Sequence, residues 1–474
     1  MRDDESSGSD YASESEEEID EREFTCENVR VRARARGKGV KSSAESARGD
    51  ASFESSRRGG SRDAGGCTRE GMRDSRRVPG TRTRARARIN EGATGRRGRG
   101  MGMKGRAMTD GGRVFFRFEQ PDVVTKYKIA ADCVNAATRA VLEKCVAGAK
   151  IVDACAAGDA SIERETGKYY NKKDKDGNKV EKGVAFPTCV SVNNCVCHNS
   201  PGAGDEKTFQ DGDAVKIDLG AHVDGYVATC ARTIVIGGQK VTGAQADVMK
   251  AAELASEIVI RKLRPGDSTA EIGATIESVA KDFGVSVVEG VVTHNMKRFI
   301  IDGNKVILNK SSPEMKADPE EIEMYEVYAL DIVMSTGEGK PKQRDEKETK
   351  VYKRAIEKNY QLKMAGSRAV FSEISKRFPT MPFTARALQE KRVNFGLVEC
   401  CNHGLLHPYP VLYEKDGDAV AHVKCTFLVL KNGNDRITTF EPQEVESDKK
   451  LSDESLYELI ATELKPKKVK KNKK

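Results

Sequence analysis

Over residues 1–112 the chain shows no hydrophobic periodicity. Stretches such as "RARARGKG", "SSRRGGSR" and "GRRGRGMGMKGR" mix Arg with Gly and Ser. A segment of that kind cannot bury enough apolar surface to offset the entropy of ordering it. The pattern predicts a disordered extension over 1–112 and folded sequence from near Pro121. Translation starting at Met101, Met103 or Met108 would instead remove most of that extension.

From Tyr127 onward, apolar or small residues fall at Ala130, Ala131, Val134, Ala137, Val141 and Cys145, the spacing of one helical face. A shorter helix is predicted around Ile151–Ile162. "GVAFPTCVSVNNCVCHNSP" then alternates as a strand and closes on a turn at Asn199-Ser200-Pro201. "KIDLGAHVDGYVATCART", residues 216–233, reads as a hairpin about Asp224-Gly225. A two-residue turn there sets position 220 opposite 229, so that Asp218 and Thr229 share a face. Long helices are predicted from Gly243 to Leu263 and from Thr269 to Phe283. Strands are predicted near Val285–Val292, at 326–336 ("EVYALDIVMST") and at 419–430 ("AVAHVKCTFLVL"). Residues 352–410 read as helical, with Lys and Arg outside. Hairpins interleaved with paired helices, without βαβ regularity, indicate an α+β domain.

Composition narrows the class. Only 38% of the 474 residues are hydrophobic, 32% are charged and Trp is absent, which fits one large domain with disordered ends. No apolar run approaches a membrane span and the first residues are acidic, so no membrane partner is expected. Twelve cysteines without a C-x-x-C pair read as buried thiols rather than a zinc ribbon or a redox dithiol. The net charge of +8 lies at the ends. Residues 1–27 are acidic, Arg30 to Arg106 hold twenty Arg and three Lys against seven acids, and the final "KPKKVKKNKK" carries seven Lys. Such tails suit sequence-independent phosphate contacts, with Lys467, Lys468, Lys470 and Lys471 as candidates.

Polar residues also recur on strands that should face the core: His198, Asp218, His294, Asp331 and Lys424. Buried charges must find partners, so together they suggest one shared pocket.

The motifs "SVNNCVCHNSP", "VKIDLGAHVDGYVATCA", "EGVVTHNMKRFIIDG", "YEVYALDIVMSTGEGK" and "AHVKCTFLVL" resemble, in that order, those of type 2 methionine aminopeptidases. More closely still they resemble the catalytically silent relatives of these enzymes, the proliferation-associated, ErbB-receptor-binding proteins. The resemblance spans about 121–440, with a type 2 helical insert near 352–410 and a tail over 441–474. It implies the pita-bread fold, a pseudo-symmetric antiparallel sheet backed by helices. The active aminopeptidases hold two divalent metals with two Asp, one His and two Glu. On this chain the first Asp corresponds to Asp218, the second falls at Thr229, and the His is His294. The first Glu falls at Asp331 and the second at Lys424. A His near the substrate amine matches His198, and a second substrate-side His falls at Asp302.

Two metal ions need carboxylates to balance their charge. Thr229 removes one, and the Lys424 ammonium would repel a divalent cation and pair with Asp218 or Asp331. The expectation is a vestigial pocket without metal, cofactor or catalytic residue. The alternative is a peptidase or hydrolase with an altered, metal-poor site. The resemblance further implies a non-enzymatic growth regulator associated with RNA and the large ribosomal subunit, acting in ribosome biogenesis and translation. It implies residence in cytoplasm, nucleus and nucleolus, and protein partners in growth signalling. On the folded body, Lys297, Arg298 and the loop "NKKDKDGNK" (171–179) are the expected RNA contacts.

Overall fold

A computed structural model of the chain describes residues 121–465, apart from 174–176, 239, 313–314, 390–392 and 440. The expected extension over 1–112 and the tail residues Lys467, Lys468, Lys470 and Lys471 lie outside the described residues.

In chain order the strands are β1 (Lys182–Val192), β2 (Cys195–Cys197), β3 (Ala214–Val223), β4 (Tyr226–Val235) and β5 (Ser286–Val287). They continue with β6 (Val292–Met296), β7 (Val306–Leu308), β8 (Val327–Ser335), β9 (Lys342–Gln343) and β10 (Val351–Arg354). The last five are β11 (Phe383–Thr384), β12 (Leu406–Tyr409), β13 (Leu412–Tyr413), β14 (Val420–Leu428) and β15 (Asp435–Arg436). The main sheet runs β1-β3-β4-β14-β8-β6-β7, with β15 against β14 and β5 against β8, and its pairings are antiparallel.

Period-two alternation decides which way this sheet faces. On β3, Val215, Ile217, Leu219, Ala221 and Val223 enter an apolar cluster, which leaves Lys216, Asp218, Gly220 and His222 for the opposite face. Helices α1 (Pro121–Leu142) and α2 (Ile151–Thr166) cover that apolar side. The predicted stripe from Ala130 to Val141 is fully buried there. Helices α3 (Gly243–Lys262) and α4 (Thr269–Asp282) cover the other half, packing Ile258 and Ile276 with Tyr328, Leu330, Val423 and Phe427. Two helix pairs backing two halves of one sheet thus leave its far face for polar side chains. The described cysteines are free thiols, and all but the half-buried Cys401 are buried.

The β3–β4 hairpin has the expected register, with Gly220 opposite Thr229. Asp224 and Gly225 both take positive φ, 57° and 78°, as a tight hairpin turn requires. The Asp224 carboxylate accepts from Lys126 Nζ of α1 at 2.9 Å and from Arg298 Nη2 at 2.5 Å. Phe299 lies flat on Gly225, whose backbone carbonyl accepts its N–H at 2.8 Å.

Two regions differ from the sequence reading. The insert near 352–410 is not helical throughout. It holds α5 (Ala365–Arg377), α6 (Val393–Asn402) and the small sheet β11-β10-β12, around a core of Val370, Ile374, Phe383, Leu397 and Cys400. Pro379 and Pro382 stop the helical pattern after α5 and precede β11, and Pro408 lies within β12. Residues 441–465, expected as part of a tail, run along the body. Leu451 is buried, and Leu456, Leu459 and Ile460 of α7 (Ser455–Ala461) pack on the α3–α4 core. Their i, i+3, i+4 spacing is that of a docked helix face.

A Cβ at residue 225 would lie 2.6 Å from the Phe299 ring at a φ that favours glycine. Gly225→Ala should therefore destabilise the fold by about 2 kcal/mol or more. Urea unfolding midpoints of the two proteins check this.

Candidate functional site

The polar face of the sheet carries a row of residues fixed by strand register. Asp218 on β3 stands opposite Ala231 on β4, Ala231 opposite Lys424 on β14, and Lys424 opposite Asp331 on β8. Adjacent strands lie about 4.8 Å apart, so Asp218 and Lys424 start about 10 Å from each other. The small Ala231 between them leaves room for the lysine stem to cross. Lys424 Nζ donates to Asp218 Oδ2 at 2.8 Å and lies 3.0 Å from Asp331 Oδ2. The Phe186 ring lies 5.5 Å from the ammonium, within cation–π range.

All three charges are buried, at 11%, 6% and 12% side-chain exposure for Lys424, Asp218 and Asp331. Burial by itself would push the Lys424 pKa down, but the carboxylates of Asp218 and Asp331 hold it well above its ordinary range. Burial would raise Asp331, yet the Lys424 ammonium and then His422 hold that carboxyl well below its ordinary range. His422 Nε2 meets Asp331 Oδ1 at 2.7 Å. Among the described residues, Asp218 Oδ1 and His422 Nδ1 make no hydrogen bond.

The remaining pocket residues are also engaged. Thr229 is buried; its N–H donates to Thr426 Oγ1 at 2.8 Å, and its carbonyl accepts from Thr426 and Thr438 hydroxyls at 3.1 Å. Asp302 pairs with Lys353 on β10, so it ties the insert to the body. A second tie joins Arg386 Nη2 to Asp159 of α2 at 2.7 Å. His198 has positive φ, 65°; its Nδ1 lies 3.1 Å from the Pro410 carbonyl and its ring stands edge-on to Tyr409 at 5.3 Å. Burial pushes the His294 pKa down, against the opposing pull of Asp331 and Asp302. Together these side chains line a pocket of about 100 Å³, walled by Phe186, Ile301, Val333 and Tyr409.

This donor set does not fit a dinuclear metal centre. One position is an uncharged threonine facing another threonine, and an ammonium sits between the two remaining carboxylates. Among the described residues no three His, Cys, Asp or Glu side chains converge as metal ligands.

All seven residues expected in the pocket, His198, Asp218, Thr229, His294, Asp302, Asp331 and Lys424, line it. Lys297 and Arg298 lie elsewhere, on the exposed turn after β6. Arg298 is held there by Asp224 and stacks over Tyr226 and Phe299 at 5.7 and 5.2 Å. His422, Lys353 and Phe186 were not singled out from the sequence. His422 carried a usable signal, because it lies two residues before Lys424 and so on the same strand face. Lys353 carried none, since its partner is set by the path of the insert.

Removing the ammonium leaves two buried carboxylates sharing one small space. Lys424→Met should cost about 3–5 kcal/mol at pH 7. In the native protein Lys424 is raised from 10.5, so its contribution is complete below that pH and fades only as pH climbs through the higher folded value. Asp331 is lowered from 3.8, so its contribution is present above that pH and fades as pH falls through the lower folded value. The site therefore adds constant stability between those limits. The variant should instead gain stability as pH falls from 7 toward 4, because protonation relieves the uncompensated charge. Denaturant titrations of both proteins across that range check the flat contribution in the native protein against the gain in the variant.

The metallopeptidase family M24 model matches residues 125–328. ErbB-3 binding protein 1 from Solanum tuberosum is 53% identical over 334 residues, covering 70% of this chain and 86% of that protein. The curved DNA-binding protein of Schizosaccharomyces pombe is 38% identical, covering 76% of this chain and 94% of its own length. A methionine aminopeptidase from Archaeoglobus fulgidus is 31% identical, over 54% of this chain and 82% of the enzyme. Among solved structures, a thermophilic Arx1 superposes with a TM-score of 0.67 at 30% identity, covering 73% of this chain and 99% of that one. The chain therefore has the pita-bread fold and belongs to metallopeptidase family M24, in the group of the ErbB-3-binding and proliferation-associated proteins.

Proposed function

We propose that this chain binds rather than cuts: it acts as a non-enzymatic regulator associated with RNA and the large ribosomal subunit, in ribosome biogenesis and translation. The observation that carries the first half is the Lys424 ammonium, 2.8 Å from Asp218 and 3.0 Å from Asp331, where a hydrolase of this fold needs cations held by carboxylates. An ammonium fixed there by two salt bridges supplies the charge balance that metals would otherwise supply, and offers no Lewis acid and no activated water. Relatives named for binding a receptor or DNA favour the same reading.

The charge layout supports the second half. Basic character lies in the Arg-rich segment and the terminal Lys run, beside a body whose positive and negative charges nearly balance. Such extensions supply phosphate contacts without sequence preference, while the folded surface sets register. This role suits cytoplasm and nucleus, including the nucleolus, and leaves room for protein partners in growth signalling.

Isothermal titration with Mn²⁺ or Co²⁺ tests the pocket. The native chain should take up no metal there and leave a Met-Ala-Ser peptide intact, whereas Thr229→Asp with Lys424→Glu should create divalent-metal binding. Uptake of two metals by the native chain, or cleavage of the peptide, would overturn the reading. Co-sedimentation with purified large ribosomal subunits tests the partner: binding should fall steeply with salt and weaken without residues 465–474. Salt-independent association, or none, contradicts it.

A further inference from the structure

Strands β4 and β14 meet where the half of the main sheet backed by α1 and α2 adjoins the half backed by α3 and α4. Within each half, β3 pairs with β4 and β14 with β8 along whole strands. Between the halves, β4 and β14 share two residue pairs, Ala231 with Lys424 and Cys230 with Cys425. On either side of these, threonine hydroxyls take the place of the backbone ladder. The Thr229 N–H donates to Thr426 Oγ1 at 2.8 Å, and the Thr426 N–H donates to Thr438 Oγ1 at 2.8 Å. At the other end the His422 N–H donates to Thr233 Oγ1 at 2.7 Å, and that hydroxyl donates to the His422 carbonyl at 3.1 Å. The seam thus rests on two backbone pairs and a set of side-chain bridges.

One of the two pairs consists of cysteines. Residues directly opposite in an antiparallel ladder have Cα atoms about 4.5 or 5.5 Å apart and side chains on the same face. A disulfide needs a Cα separation of about 4.4–6.8 Å, so the register sets Cys230 and Cys425 within bonding range. Both are free thiols, and both line one cavity of about 310 Å³ with Arg232, Ser256, Glu257 and Arg436. The Glu257 and Arg436 side chains keep 28% and 29% exposure, so solvent reaches that lining. Alternation puts Lys424 on the opposite face of β14 from Cys425, so a bond between the sulfurs leaves the ammonium and its carboxylates in place.

We propose that Cys230 and Cys425 are a redox-responsive pair that closes into a cross-strand disulfide under peroxide and staples the two halves of the sheet. One sulfur attacks hydrogen peroxide and breaks its O–O bond, giving a sulfenic acid and one water. The second sulfur displaces the oxygen from that sulfenic acid, the S–S bond forms and a second water leaves. Two thiols lose two electrons and two protons to one peroxide, and a dithiol reductant reverses the change by exchange. Burial pushes the Cys425 thiol up to about 11 and the Cys230 thiol up to about 12, with Arg436 opposing the shift at the first and Arg232 at the second. Cys425 therefore offers the larger thiolate fraction and attacks first. The thiolate is scarce at pH 7, so the pair answers sustained oxidation rather than a brief pulse.

Peroxide treatment of the full chain in native buffer, trapping of the remaining thiols with N-ethylmaleimide in denaturant, and non-reducing tryptic mass spectrometry test this. The expected product joins peptide 217–232 to peptide 425–431, and dithiothreitol removes it. The oxidised protein should unfold in urea at a midpoint about 1 M above that of the reduced protein, because the bond closes a loop of about 195 residues. Both readouts are taken on the native sequence. Cys230→Ala and, separately, Cys425→Ala should abolish the linked peptide and the shift, whereas Cys401→Ser, at the half-buried thiol, should keep both. Recovery of Cys230 and Cys425 as maleimide adducts from the peroxide-treated chain overturns the proposal. Linkage of either cysteine to a third one, or a linked peptide with an unchanged urea midpoint, overturns it as well.

Discussion

A buried ammonium shared by two carboxylates organises the polar face of this protein. Two carboxylates a few ångström apart repel by several kcal/mol even in a moderately polar interior. Neither Asp218 nor Asp331 is exposed enough for water to relieve that. Lys424 resolves the conflict because three strand registers bring it into one row with both, and because Ala231 leaves its stem a path to the farther one. In active members of the fold, metal ions meet the same electrostatic demand. Here the Lys424 ammonium meets it.

The surrounding positions follow the same logic of internal satisfaction. Thr229 turns its backbone to the hydroxyls of Thr426 and Thr438, His422 takes the second oxygen of Asp331, and Asp302 is committed to Lys353. These contacts join strands of the main sheet to one another and the insert to the body. The Asp302–Lys353 and Asp159–Arg386 pairs fasten the insert to the body at two places, which makes it a fixed platform beside the pocket.

Much of this was legible in the sequence where a physical rule is strict. Alternation in "VKIDLGAHV" separates the helix-facing residues from Asp218, and the Asp-Gly turn fixes Thr229 on the same face. A shared pocket followed from the requirement that buried charges find partners, and the ligand positions implied by the resemblance pointed Lys424 at Asp218 or Asp331; it pairs with both. His422 is equally readable from its place on β14, two residues before Lys424, although it falls at none of the ligand positions that the family resemblance implies. The insert differs from its helical reading because β10, β11 and β12 are only two to four residues long, too few for a period to emerge. The docked α7 was misread because the basic run beyond it coloured the whole C-terminal stretch as tail. Arg298 looked like a nucleic-acid contact on charge alone; its commitment to Asp224 depends on a turn packing across the hairpin tip, which no local pattern encodes.

The central claim is that Lys424 occupies the place of the metals. Anomalous diffraction from crystals of the native protein soaked in Mn²⁺ addresses it most directly. The account predicts no anomalous peak at coordinating distance from Asp218 and Asp331, with the Lys424 ammonium still between them. A manganese peak bound by those two carboxylates and His294, with the Lys424 side chain swung aside, would contradict it.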